Sequence, residues 1–280
     1  LEEFDHMPQV VLSIGGSDSG GGAGICADIK TFSALGLHGT CAVTAITAQN
    51  TLGVQQVFGL EPDVVEAQLK SITDDFTIAA AKTGMLHSAG IVEAVSRHLA
   101  GRNIPLVLDP VIEAEAGGRL LFPDAVEALK TSLMPLARVV TPNIFEAYAL
   151  SGIRVRDRES ALLAARKILE IGARAVIIKG GHLDCIDLLL ESGGGDEGIL
   201  LSGKRVAGEN HGVGCTYSAA LTCYLAQGFT LQSAAIQAKR FAEKALIGSM
   251  RVGRGVGPVD QAAYLRRQAE LAGARRDGKL

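Results

Sequence analysis

The sequence predicts an α/β fold: a three-layer α/β/α arrangement around a mostly parallel central sheet with an antiparallel edge. Three observations predict it. Short apolar runs, such as residues 10–14 and 175–179, alternate with longer amphipathic stretches. The runs are continuous rather than alternating in polarity, as in strands covered by helices on both faces. Toward the end of the chain, residues 185–190 and 198–201 flank Ser192-Gly193-Gly194-Gly195, a spacing that reads as an antiparallel hairpin at a sheet edge.

Taken in order, residues 10–14 form the first expected strand, and a glycine loop leads into a helix over about 25–35. A strand is expected at 40–46. A helix follows at about 62–72, opened by Pro62, whose missing N–H costs nothing in a first turn. The next pair is a strand at 78–82 and a helix at 88–100, with Ser88 as N-cap. The strand at 106–108 ends in Asp109-Pro110. Then come a helix at 124–133, a strand at 138–140, helices at 144–150 and about 160–171, and the strand at 175–179. Beyond the hairpin lie helices at about 215–226 and 231–247. The basic tail after Gly253 reads as helical at best and frayed. Residues 1–6, ahead of the first methionine, read as a cloning scar. The remainder, 7–280, reads as one domain, since no repeat or linker divides it.

Composition narrows the function. Thirty acids against twenty-seven bases give a net charge of −3, so no basic surplus supports nucleic-acid binding. No apolar run approaches the roughly 18 residues of a membrane span. Acids stand near the start, where a secretory signal carries bases. Cys26, Cys41, Cys185, Cys215 and Cys223 are odd in number and lack CxxC spacing. They argue against a disulfide framework or zinc site and for a reducing cytoplasm. Glycine is the unusual count, 34 of 280, well above the usual share of about 7 %, and it is clustered.

Ligands in an open parallel sheet sit beyond the carboxyl ends of the strands. After the first strand comes Gly15-Gly16-Ser17-Asp18-Ser19-Gly20-Gly21-Gly22-Ala23-Gly24, a loop able to point backbone N–H groups at an anion or wrap a small ring. It fits neither the GxxxxGK[ST] nor the GxGxxG pattern. Later strands end in Lys82-Thr83-Gly84-Met85, Asp109-Pro110-Val111, Thr141-Pro142-Asn143 with Glu146, and Lys179-Gly180-Gly181-His182. By spacing alone Asn143 and Glu146 read as a capping box. As a set, these ends supply the Lys, Asp, Asn and Glu of a phosphate and magnesium site. His211-Gly212-Val213-Gly214-Cys215 then opens a small-residue helix, whose first amides suit a transferring phosphoryl group. Cys215 at that helix start is expected to have a lowered thiol pKa. The competing reading is a small buried hydrophobe.

These motifs, with Ala27-Asp28-Ile29-Lys30-Thr31-Phe32 and Thr44-Ala45-Ile46-Thr47-Ala48-Gln49-Asn50-Thr51, resemble the hydroxymethylpyrimidine/phosphomethylpyrimidine kinases of thiamine biosynthesis, in the ribokinase superfamily. The resemblance runs from residue 10 to 228. It implies ATP-dependent phosphorylation of the pyrimidine's hydroxymethyl group and then of the monophosphate. It further implies that Gln49 meets the aminopyrimidine edge and that Gly16, Ala23, Asp28 and Met85 complete the pocket. Asp109 and Glu146 would hold Mg2+. Asn143, Lys179 and Val213 would face ATP, and Gly212, Gly214 and Cys215 would form the anion hole, with Lys179 and Cys215 acting in catalysis. A small-molecule partner and a homodimer are expected. Two departures stand out: Val213 replaces the family's Thr, and Glu113 and Glu115 replace a basic stretch. The alternatives are a pyridoxal-type vitamin kinase and a non-catalytic pyrimidine-sensing module.

Overall fold

The computed structural model describes residues 8–112, 120–181, 185–206, 208, 210–263 and 266. The scar expected at 1–6, Glu113, Glu115, His182 and most of the basic tail lie outside the described residues. The elements are β1 (Val10–Gly15), α1 (Gly24–Ala34), β2 (His38–Val43), β3 (Ala45–Asn50), β4 (Gly53–Gly59), α2 (Pro62–Asp75), β5 (Ile78–Thr83), α3 (Ala89–Leu99), β6 (Leu106–Leu108), α4 (Pro123–Ala128), β7 (Val139–Val140), α5 (Ile144–Ser151), α6 (Arg158–Glu170), β8 (Ala175–Ile178), β9 (Asp187–Glu191), β10 (Ile199–Leu201), α7 (Val213–Ala226) and α8 (Leu231–Ile247).

Eight strands form one sheet in the order β10-β9-β8-β7-β6-β5-β1-β2. Pairing is parallel from β2 through β8 and antiparallel across β8-β9-β10, the expected edge hairpin. Successive strand residues point to opposite faces, and both faces are dry. Leu106, Leu108, Val140, Val176 and Ile178 pack with α2 to α6. Val107, Val139, Ala175 and Ile177 pack with α7 and α8, and Val11 and Ala80 with α1 and α7. This double coverage is why the runs are continuous in sequence, and it gives the expected three layers.

Two expectations need correction. The strand expected at 40–46 is two strands. Thr44 is fully buried, its N–H donating to the Gly15 carbonyl at 3.0 Å, and the chain leaves the main sheet there. Then β3 pairs antiparallel with β4 as a separate two-stranded flap. The helix expected at 124–133 is α-helical only to Ala128, followed by a π turn over Leu129–Leu133 and a 3-10 turn over Met134–Leu136. Pro135 has no N–H to continue the helix. Elsewhere the signals act as read: the Ser88 side chain accepts the Ile91 N–H, and Pro62 sits in the first turn of α2. Among the described residues no helix is long and apolar enough to cross a membrane.

Candidate active site

Parallel pairing sets the carboxyl ends of β1, β5, β6, β7 and β8 along one edge of the sheet. Asp109 follows β6 directly, Asn143 follows β7, and Lys179 follows β8, with Asn143 and Lys179 joined by a parallel bridge. The start of α7 faces this edge. Gly212 is its N-cap, with a φ of 85°. A Cβ there would lie 1.9 Å from the Gly22 carbonyl oxygen, so only glycine lets the helix begin against the first glycine loop. A helix start leaves its first amides without intrahelical acceptors. Lys179 stands beside this one: a Cβ on Gly214 would be 3.5 Å from its Nζ.

Lys179 Nζ donates to Asp109 Oδ1 at 2.8 Å and lies 4.0 Å from Glu146 Oε2. Asp109 also accepts from Thr141 Oγ1 and from Ser218 Oγ, both at 3.0 Å. Burial works against its charge, but Lys179 and Lys82 outweigh it and hold the carboxyl below the usual range. The Lys179 ammonium is held above its ordinary value, because the charges of Asp109 and Glu146 outweigh its burial. Glu146 goes the other way. Burial, with the charge of Asp109 nearby, pushes it up to about 7 despite Lys179.

The capping box is real: Asn143 Oδ1 accepts from the N–H groups of Phe145 and Glu146, both at 2.9 Å, and Glu146 Oε2 accepts from Asn143 N–H at 2.8 Å. Capping and the site therefore coincide, because the cap fixes Glu146 beside Lys179. Two buried carboxylates face the Lys179 ammonium here, and burial is the chief reason that Glu146 is raised. That donor set fits Mg2+, which takes oxygen ligands and keeps water or phosphate oxygens for the rest. Among the described residues no three His, Cys, Asp or Glu side chains group to form a fuller metal cage.

Cys215 lies in the first turn of α7, half-buried. The lowered thiol pKa expected from the helix start is overturned: burial pushes the thiol up to about 11, and the favourable charge of Lys82 does not compensate. The charges of Asp28 and Asp109 push it in the same direction as burial.

The residues expected to form the substrate pocket come together in part. Met85 packs on Gly16, where a Cβ would lie 2.7 Å from the Met85 methyl, and Ala23 abuts Gly212. Gln49 reaches over from the flap, its Nε2 3.3 Å from His211 Nε2. Asp28 is buried, at 1 % exposure. It pairs with Lys82 Nζ at 2.8 Å and accepts from Ser13 Oγ at 2.6 Å, so both its oxygens are taken by protein partners.

Sequence reasoning missed three members of the site. Asp18 accepts the N–H groups of Gly20, Gly22 and Ala23 at 2.8–2.9 Å and so ties the glycine loop. His211 Nε2 is 2.9 Å from Asp18 Oδ2. Ser218 joins α7 to Asp109. The spacing of Asp18 before Gly20 is a local turn signal, whereas nothing in the sequence announces the other two contacts.

The phosphomethylpyrimidine kinase family model matches residues 18–260. The hydroxymethylpyrimidine/phosphomethylpyrimidine kinase of Haemophilus influenzae is 48 % identical over 91 % of this chain and 97 % of that protein. The one from Streptomyces coelicolor is 45 % identical over 90 % and 94 %. A thiamine biosynthesis bifunctional protein of Geobacter sulfurreducens is 44 % identical, this chain covering 51 % of it. Among solved structures, an ADP complex of Bacillus subtilis pyridoxal kinase superimposes with a TM-score of 0.84 at 37 % identity, over 93 % of this chain and 99 % of that one. The phosphomethylpyrimidine kinase of Clostridium difficile superimposes with a TM-score of 0.74 at 39 % identity, over 85 % and 99 %.

Proposed function

The chain belongs to the phosphomethylpyrimidine kinase family, and from that premise we propose that it transfers the γ-phosphoryl group of ATP to the hydroxymethyl oxygen of 4-amino-5-hydroxymethyl-2-methylpyrimidine, then phosphorylates the monophosphate, for thiamine biosynthesis. The observation that carries this is the convergence of Lys179, Asp109 and Glu146 opposite the glycine-opened start of α7. Phosphoryl transfer is mostly positioning and charge stabilisation, with a loose transition state. Lys179 and the first amides of α7 at Gly212, Val213 and Gly214 oppose the negative charge of the transferring group. Asn143, beside Lys179, faces the ATP phosphates. Asp109 and Glu146 are the residues that would hold Mg2+, which would supply positive charge to the phosphate oxygens.

On the acceptor side, Gln49 pairs with the aminopyrimidine edge through one donor and one acceptor, while Gly16, Ala23 and Met85 enclose the ring. Asp28 supports this pocket through Lys82. Cys215 stands nearest the acceptor hydroxyl. Its thiolate, the minor form near neutral pH because burial raises the thiol's pKa, forms by loss of the thiol proton to solvent and then takes the hydroxyl proton as the new O–P bond forms. The likeness to pyridoxal kinase favours a second acceptor, pyridoxal, on the same machinery. The test is to incubate the protein with ATP, Mg2+ and the pyrimidine and follow products by mass. Sequential appearance of mono- and diphosphate is expected, and absence of any phosphorylated pyrimidine contradicts the reading.

A further inference from the structure

We infer that His211 is a positioning residue that sets the orientation of the Gln49 amide and, through it, the choice of acceptor ring. This deepens the kinase reading above and rests on Gln49 meeting the pyrimidine. One imidazole nitrogen, Nε2, lies 2.9 Å from Asp18 Oδ2 and 3.3 Å from Gln49 Nε2. It cannot serve both partners in that arrangement. Asp18 is 2 % exposed and accepts three backbone N–H groups. Burial raises its pKa, but the His211 hydrogen bond and these amides outweigh that and hold it below the usual carboxylate range. An ionised carboxylate only accepts, so the proton between Asp18 and His211 belongs to Nε2. A protonated Nε2 then offers the Gln49 NH2 no lone pair.

Exchanging the amide oxygen and nitrogen in place, two ends of nearly the same shape, resolves the conflict. The amide oxygen then shares the Nε2–H. The NH2 takes the other end, 3.3 Å from Thr47 Oγ1, whose own proton goes to the Ser17 carbonyl at 2.9 Å and leaves a lone pair to accept. In this orientation each of these donors has an acceptor. The ring itself is held in place: a Cβ on Gly22 would lie 2.3 Å from His211 Cδ2, and the His211 carbonyl accepts the Val259 N–H at 3.1 Å. An amide with two nearly isosteric ends is indifferent to which edge it offers, unless a neighbour fixes it. Asp18 and His211 fix it. A pyrimidine edge with an amino donor beside a ring-nitrogen acceptor is thereby distinguished from a pyridine edge with a hydroxyl.

Steady-state kinetics of wild type, His211→Phe, Gln49→Leu and the double variant test this, varying the pyrimidine at saturating ATP and then the reverse. His211→Phe keeps a ring over Gly22 but removes the hydrogen bond. The acceptor KM should rise about fivefold or more, as for loss of one net hydrogen bond, while the ATP KM stays within about twofold. In the Gln49→Leu background the same change should add nothing, since coupled residues are not additive. His211→Gln, which can donate, should recover part of the loss. Equal rises in both KM values, or an undiminished effect in the Gln49→Leu background, overturn the inference. If Gln49→Leu alone leaves the acceptor KM unchanged, the reading beneath it falls too; if Gln49→Leu raises it and His211→Phe does not, only the positioning role falls. Should His211→Phe not fold, long-range 1H–15N NMR of wild type decides, with His211 identified by proximity to the Gly22 α-protons. A proton on Nε2 is expected, and one on Nδ1 alone overturns the inference.

Discussion

Replacing Lys82 by Met removes one charge from a buried pair and leaves the other stranded. Lys82 and Asp28 have side-chain exposures of 1 % and 2 %, and their charged atoms are 2.8 Å apart. Ser13 then remains the partner of Asp28. Breaking such a pair costs about 3–5 kcal/mol. The structure sets a ceiling, because Asp28 escapes the penalty by taking up a proton. From its ordinary value of 3.8, protonation near pH 7 costs about 4 kcal/mol at 1.36 kcal/mol per pH unit. Burial already raises the Asp28 carboxyl above its ordinary value with Lys82 in place. Loss of the lysine raises it further, so in the variant the folded pKa lies above the unfolded one. Stability from such a group is complete below the unfolded pKa and is lost as pH rises through the folded one. The penalty should shrink by up to about 1.4 kcal/mol for each unit of acidification. Guanidinium unfolding of wild type, Lys82→Met, Asp28→Asn and the double variant at about pH 5.5 and 7.5 measures this, with a coupling above about 2 kcal/mol expected at the higher pH. A Lys82→Met variant within about 1 kcal/mol of wild type at pH 7.5, or a penalty equal at both pH values, refutes the reasoning.

Four further outcomes are expected. With a thiol at about 11, alkylation of Cys215 should quicken about tenfold per pH unit between pH 8 and 10, be slowed by ATP plus pyrimidine, and show no plateau below that range. Peptide mapping of the modified chain reads it. Cys215→Ala should lower turnover at saturating substrates by about 10²-fold while leaving ATP binding intact; a loss under about threefold reduces Cys215 to packing and leaves the amides of α7 as the catalytic element. Asp109→Asn with Glu146→Gln should raise the Mg2+ concentration needed for half-maximal rate at least about tenfold, since oxygen charge sets affinity for this ion; wild-type Mg2+ dependence in the double variant removes the metal role. Gly212→Ala should abolish activity, its Cβ being 1.9 Å from the Gly22 carbonyl oxygen, whereas Gly214→Ala meets only the Lys179 ammonium at 3.5 Å and should keep most of it.

How far the sequence could be read follows the range of each interaction. Strand-end residues were legible because a strand's end, its glycine and the next helix cap are neighbours in sequence: Asp109, Asn143 and Lys179 each follow a continuous apolar run. The capping box was legible for the same reason, with its two members three residues apart. The flap was not. β3 carries exposed Ile46 and Ala48 beside buried Ala45 and Thr47, so its pattern is not that of a core strand, and β-prone residues run from β2 into it unbroken. The π turn at Leu129–Leu133 shares its residue types with any helix. Pairings across the fold were illegible altogether. Lys82 meets Asp28 across 54 residues, Ser218 meets Asp109 across 109, and His211 meets Asp18 across 193. The thiol of Cys215 was misjudged because helix position is local information and burial is not.

The central claim is that this site is built for an aminopyrimidine alcohol. A coupled ATP-consumption assay giving kcat/KM for hydroxymethylpyrimidine, its monophosphate and pyridoxal under one set of conditions tests it most directly. The account predicts turnover of both pyrimidines, with hydroxymethylpyrimidine preferred over pyridoxal by about tenfold or more, the worth of a correctly paired ring edge. Equal or faster turnover of pyridoxal, or no ATP consumption with either pyrimidine, contradicts it.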